Sequence, residues 1–161
     1  MIEEHFKLIK EPIQILYIYT DGACHFNGQK KARAGIGVHC SHFDISEKFV
    51  YENPTNQRAE LVAILTALEL IVENKLHKKY EEIEVHTDSL YSINCCTKWI
   101  HSWIKSNWKK PIKNREFIEP VFKLLQDNPK IKLFHVKAHT GRSDIHSVGN
   151  QKADELAGQG C

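Results

Sequence analysis

Apolar and polar positions along this chain alternate between two periods. Residues 15–20, Ile15-Leu16-Tyr17-Ile18-Tyr19-Thr20, form an unbroken apolar run, the pattern of a strand buried on both faces. Residues 34–40 and 45–52 read as two further strands, antiparallel partners in a meander. From Gln57 to about Asn74 the apolar side chains fall at Leu61, Ile64, Leu65, Leu68, Ile71 and Val72, one stripe of a long helix. Residues 82–87 are a strand again. Helical patterns follow at 89–96, 98–107 and 114–126, with Pro111 and Pro129 as breaks. A last strand covers 131–136, and a polar loop at 138–148 leads to a helix over 149–157. Three strands, a helix, then strands alternating with helices predict an α/β domain: a five-stranded mixed sheet with helices on both faces. That domain takes in residues 15–161, preceded by a short extension over 1–14.

Composition narrows the class. With 161 residues, 42% hydrophobic and 26% charged, the chain is long enough for one buried core and polar enough for water. No apolar run approaches the roughly 20 residues of a membrane span. Met1-Ile2-Glu3-Glu4-His5 lacks the basic start of a signal peptide, so an intracellular protein is expected, cytoplasmic or nuclear being left open. The five cysteines show no C-x-x-C spacing, which argues for reduced thiols rather than a zinc knuckle or disulfides. Net charge is only +2, but its distribution is uneven. No acid lies between Asp88 and Glu116, where Lys98, Lys105, Lys109, Lys110, Lys113 and Arg115 accumulate around Trp99, Trp103 and Trp108. Such a segment suits either nucleic-acid phosphates or a small satellite core with solvated lysines.

Four acids carry the candidate chemistry. Asp21 follows the first apolar run, Asp88 follows the strand at 82–87, Glu60 lies early in the long helix and Asp154 lies in the last one. Singly, each has a structural explanation: a turn at Asp21-Gly22, a helix cap at Asp88-Ser89, and a favourable helix dipole for Glu60 and Asp154. Together they point elsewhere. If the strands at 15–20 and 82–87 are parallel neighbours, Asp21 and Asp88 meet at their C-terminal ends, where open α/β sheets bind ligands. Gathered carboxylates repel unless a cation joins them. Hard oxygen donors suit Mg²⁺ or Mn²⁺ and, through them, phosphate.

The stretches Tyr19-Thr20-Asp21-Gly22-Ala23-Cys24, Thr55-Asn56-Gln57-Arg58-Ala59-Glu60-Leu61, Thr87-Asp88-Ser89, His135-Val136-Lys137-Ala138-His139-Thr140-Gly141 and Gly149-Asn150-Gln151-Lys152-Ala153-Asp154-Glu155-Leu156-Ala157 resemble those of type 1 ribonuclease H, in that family's order. The resemblance covers residues 15 to 158. It implies the ribonuclease H-like fold and hydrolysis of the RNA strand of an RNA–DNA hybrid with two Mg²⁺ ions, Mn²⁺ being a possible substitute. The products would carry 5′-phosphate and 3′-hydroxyl ends. By position, Asp21 would bridge both ions, Asp154 would serve the ion at the attacking water, and Glu60 and Asp88 the ion at the leaving oxygen. His139 would act as a mobile proton-transfer group.

The resemblance also implies contacts from Asn27, Asn56 and Gln57 to 2′-hydroxyls, from Thr55 to a DNA phosphate, and from Trp99, Trp103, Lys105 and Lys109 to the DNA strand. Three departures stand out. Asn53 and Ser106 occupy positions where some relatives carry an arginine and an asparagine, and Arg142-Ser143-Asp144-Ile145-His146-Ser147 lengthens the stretch after His139, making His146 a rival for its role. A monomer with no membrane association is expected. A non-catalytic nucleic-acid module, or another nuclease or strand-transfer enzyme of the same fold, is the alternative.

Overall fold

The computed structural model describes residues 12–161. Residues 1–11, which hold most of the expected extension and the residues weighed against a signal peptide, lie outside the described part. Five strands form one sheet: β1 (Ile15–His25), β2 (Arg33–His39), β3 (Asp44–Lys48), β4 (Glu82–Thr87) and β5 (Ile131–His135). Their order is β3-β2-β1-β4-β5. β1–β2 and β2–β3 are antiparallel, β1–β4 and β4–β5 parallel, so the expected five-stranded mixed sheet is present.

The helices are α1 (Asn56–Glu73), α2 (Leu90–Asn94), α3 (Ile100–Lys105), α4 (Arg115–Asp127) and α5 (Ile145–Gly160). A π-helical turn, Cys95–Trp99, joins α2 to α3, so the two helices expected at 89–96 and 98–107 run on as one distorted rod. No helix among the described residues is long and apolar enough to cross a membrane.

Alternation along β1 sorts the two sides of the sheet. Leu16, Ile18 and Thr20 are buried on one side with Ile83, Val85 and Thr87 of β4, their register partners. Against that side lies α1, whose buried Ala59, Leu61, Ala63, Ile64, Ala67, Leu68 and Ile71 make the core, with Phe117, Ile118 and Val121 of α4 behind. Tyr17, Tyr19 and Asp21 point to the other side, which α5 covers over β1, β2 and β3. Gly37, the register partner of Asp21, is needed there: a Cβ on it would stand 2.2 Å from the carbonyl oxygen of Ala153.

Three boundaries differ from the sequence reading. β1 does not turn out at Asp21-Gly22 but continues to His25, because β2 goes on pairing with it after the parallel ladder to β4 ends at Thr20–Thr87. β3 stops at Lys48 rather than residue 52. α5 begins at Ile145, a full turn before residue 149, since the Asp144 side chain caps it by accepting from Ser147 N at 3.2 Å.

The packing at Gly37 makes a direct prediction. Gly37→Ala should cost about 1–3 kcal/mol in urea unfolding, because the clash is with backbone and the helix must shift. Gly158→Ala on the open side of α5, where nothing lies within 4 Å, should be neutral or stabilising by up to about 1 kcal/mol.

Candidate active site

Where the β1–β4 ladder ends, β1 carries Asp21 onward and Asp88 sits one residue beyond β4. The two acids therefore stand side by side at the open end of the parallel pair. Glu60 reaches them from α1, the fifth residue of that helix. Its arrival depends on Gly22, since a Cβ there would lie 2.4 Å from Glu60 N and 2.5 Å from the carbonyl carbon of Ala59. The backbone of α1 thus rests on β1. Donor oxygens of Asp21, Glu60 and Asp88 all lie within 4.8 Å of one another.

Asp154 approaches from α5 and acts electrostatically on both Asp21 and Asp88 without joining that three-atom cluster. Being the tenth residue of α5, it is too far along the helix for the dipole explanation; Glu60 likewise lies beyond the first turn of α1. Nor does Asp88 cap α2, because Ser89 does so by accepting from Ser92 N at 3.2 Å.

Burial and crowding dominate the electrostatics. Asp21 is only 4% exposed, and its carboxyl is pushed up to about 8, chiefly by burial and further by the charges on Asp88 and Asp154. Glu60 is held well above the usual carboxylate range by burial first and then by Asp21. Asp88 is raised by burial, with Glu60, His139 and Asn150 working against the shift. Two buried oxygens in this region, Glu60 Oε2 and Asn150 Oδ1, have no hydrogen-bond partner among the described residues. Gly22 N donates to Asp21 Oδ1 at 3.0 Å. Such a pocket of hard oxygens, partly unpaired and short of positive charge, fits a divalent cation.

His139 is exposed on the loop before α5, in a left-handed conformation with φ 49°, close enough to Asp88 to act on its charge. His146 stands in a different setting. Its ring turns onto the sheet, with Nδ1 2.9 Å from Tyr19 Oη and its plane stacked on His86 at 4.2 Å.

The expected substrate residues fall into two groups. At the start of α1, Asn27 Oδ1 accepts from Asn56 N at 3.3 Å, and both amides are exposed with Gln57. Thr55, not Asn56, caps the helix, accepting from Arg58 N at 3.1 Å. Beside Thr55 runs a groove of about 480 Å³ lined by Gly28, Gln29, Lys30, Asn53 and Pro54.

The second group runs from the π-helical turn through α3 and just beyond it. Trp99 is 39% exposed, Trp103 packs between it and Trp108, and Arg115 lies 3.9 Å over the Trp108 ring. Lys105 and Lys109 are exposed. Ser106 Oγ turns back to donate to Trp103 O at 3.0 Å.

Sequence reasoning missed Asn150, Lys30 and the Glu84–His86–His146 cluster. Asn150 had a signal, standing four residues before Asp154 on the same helix face. Lys30 and the cluster had none, because only tertiary structure brings their parts together.

The crowded carboxylates set a sign for the pH dependence. Asp21 binds its proton more tightly folded than unfolded, so the metal-free protein loses stability as pH rises from about 4 to about 8. The melting temperature in EDTA should fall across that interval and fall less in Mg²⁺. Asp21→Asn should remove most of the slope and stabilise the metal-free protein by about 1–3 kcal/mol at the alkaline end. A melting temperature in EDTA that stays level or climbs there would contradict this picture.

Comparison with known proteins gives the same outline. The RNase H family model matches residues 14–161. A protein of Acanthamoeba polyphaga mimivirus described as "probable ribonuclease H" is 41% identical over 138 residues, 81% of this chain and 59% of that protein. Human ribonuclease H1 is 34% identical over 151 residues, 89% of this chain and 49% of its own length. The chain thus spans about half to three-fifths of the length of these two relatives. The solution structure of the PFV RNase H domain superposes with a TM-score of 0.73 at 27% identity, covering 92% of this chain and 95% of that one. This chain belongs to the RNase H family.

Proposed function

We propose that the chain is an endoribonuclease that hydrolyses the RNA strand of RNA–DNA hybrids, leaving 5′-phosphate and 3′-hydroxyl ends. The observation that carries this reading is the convergence of Asp21, Glu60 and Asp88 within 4.8 Å, with Glu60 Oε2 buried and unpaired. The names of the relatives support the choice of substrate class. The proposed domain is 15–161, acting as a monomer.

Asp21, Glu60, Asp88 and Asp154 are the proposed holders of two Mg²⁺ ions, with Mn²⁺ able to replace them. When bound, such ions offset the carboxylate charge, activate a water and stabilise the departing 3′ oxygen. His139, exposed beside Asp88, takes or returns a proton at the attacking water or the product. Asn27, Asn56 and Gln57 present amides to the shallow minor groove, where a 2′-hydroxyl both donates and accepts. Thr55 and, from the same groove, Lys30 receive a DNA-strand phosphate. Trp99 and Trp103 offer an aromatic edge to a sugar, and Lys105 and Lys109 neutralise phosphates without reading sequence.

Two experiments test the reading. In Mg²⁺, an end-labelled hybrid should be cut in its RNA strand alone, with duplex RNA and duplex DNA left intact. Asp88→Asn should slow the cut by at least about 100-fold, since even indirect partners of a metal are worth 10- to 100-fold. A hybrid that is bound yet uncut in both Mg²⁺ and Mn²⁺ would put a non-catalytic binding module in its place. Lys105→Ala combined with Lys109→Ala should weaken hybrid binding and reduce the slope of log K against log salt by about 1–2. An unaltered slope would remove these lysines from the interface.

A further inference from the structure

Two residues back along β1 and β4 from Asp21 and Asp88, roughly 7 Å down the strands, a second group of metal-ligating side chains is gathered. Register places Tyr17 beside Glu84 and Tyr19 beside His86, so all four share the side of the sheet that faces α5. The first turn of α5 brings His146 onto them. Glu84 Oε1 accepts from His86 Nε2–H at 2.9 Å, and His86 is 5% exposed. The His146 ring lies 4.2 Å from that of His86, tilted by 18°. Glu84, His86 and His146 each offer a donor atom within 4.8 Å of the other two.

We propose that Glu84, His86 and His146 form a second divalent-metal site, of the zinc type, separate from the four carboxylates. Two imidazoles and one carboxylate are a donor set that zinc accepts and Mg²⁺ does not favour. Tyr19 completes it: with His146 Nδ1–H donating to Tyr19 Oη at 2.9 Å, the Nε2 lone pair is left for an ion. That is the support ligating histidines ordinarily have. His86 already aims Nε2 at Glu84. A tautomer change that moves its proton to Nδ1 turns this hydrogen bond into an N–metal–O bridge, with no net gain or loss of protons. Donors around a tetrahedral ion with bonds of about 2.0–2.1 Å stand roughly 3.4 Å apart, so the His86–Glu84 pair, at 2.9 Å, opens slightly and the His146 ring, stacked on His86, swings out of the stack to aim its lone pair at the ion. A water takes the fourth position. A groove lined by Tyr17, Tyr19 and Ile145 runs alongside. Once bound, the ion pins the start of α5, and with it the near end of the loop carrying His139, to β4.

The test uses the whole chain in millimolar Mg²⁺, which engages hard carboxylates and leaves imidazoles free. Equimolar Zn²⁺ should raise the melting temperature, and Co²⁺ should give the intense visible absorption of a four-coordinate site. His146→Ala and Glu84→Gln should each abolish both signals while remaining folded by circular dichroism in Mg²⁺ alone. Tyr19→Phe should weaken Zn²⁺ binding about tenfold, and Asp88→Asn should leave it intact. Signals that survive in His146→Ala and Glu84→Gln, or that vanish in Asp88→Asn, would place the ion among the catalytic carboxylates and overturn the proposal. Calorimetry that detects no Zn²⁺ binding by the unaltered chain would overturn it as well.

Discussion

Holding several carboxylates against one another inside a folded protein is the constraint on which this architecture turns. Asp21 is nearly inaccessible, and Glu60 and Asp88 face it at short range. Left alone, the group opposes folding at neutral pH, because burial and mutual repulsion both disfavour the charged forms. Something else must hold the geometry. That is done by backbone packing around a single strand. Gly22 lets α1 touch one side of β1, and Gly37, beside Asp21, lets α5 touch β2 on the other. The helix that carries Glu60 and the helix that carries Asp154 are thus clamped to the sheet within one residue of Asp21. Missing side chains at two glycines determine how close two acids can come.

The core that supplies the opposing free energy lies mainly on the α1 side, where Ile18, Ile64, Leu68, Ile83 and Val85 are fully buried. The α5 side is built differently. Tyr17, Tyr19, Glu84, His86, Phe134 and His146 make a polar-aromatic surface there, held by ring contacts and hydrogen bonds rather than by aliphatic packing. Asp21 points to this less aliphatic side, while Glu60 reaches it from α1 on the other. The residues proposed to face substrate, amides at the start of α1 and lysines on and after α3, are exposed and lie outside the core.

Much of this was legible from the residues. Period-2 and period-3.6 patterns located all five strands and the long helices, since burial imposes those periods. The four acids could be placed because two of them follow apolar strands and two sit in motifs. Ends were harder. The continuation of β1 through Asp21 depends on pairing with β2, which no local signal in Asp21-Gly22 announces. The π-helical turn at Cys95–Trp99 looked like a gap between helices because it interrupts the 3.6 period without breaking the chain's direction. Asn150, although inside a motif, gives away its partner only once α5 lies over β4.

The stretch after His139 shows how a boundary error changes a functional reading. As an extended polar loop over 138–148 it suggested a competing His146. Asp144 changes that picture: by capping α5 at Ile145 it converts the last four residues of the apparent loop into an added helical turn. The loop proper is then short, and the added residues are spent on bringing one side chain, His146, to Tyr19 and His86. The extra length is therefore a structural element with its own contacts. It separates two histidines seven apart in sequence into different environments: one exposed beside the carboxylates, the other packed on the sheet among nitrogen and oxygen donors. In the proposed arrangement, hard oxygens above and imidazoles below would differ enough in metal preference to hold different ions within one strand repeat.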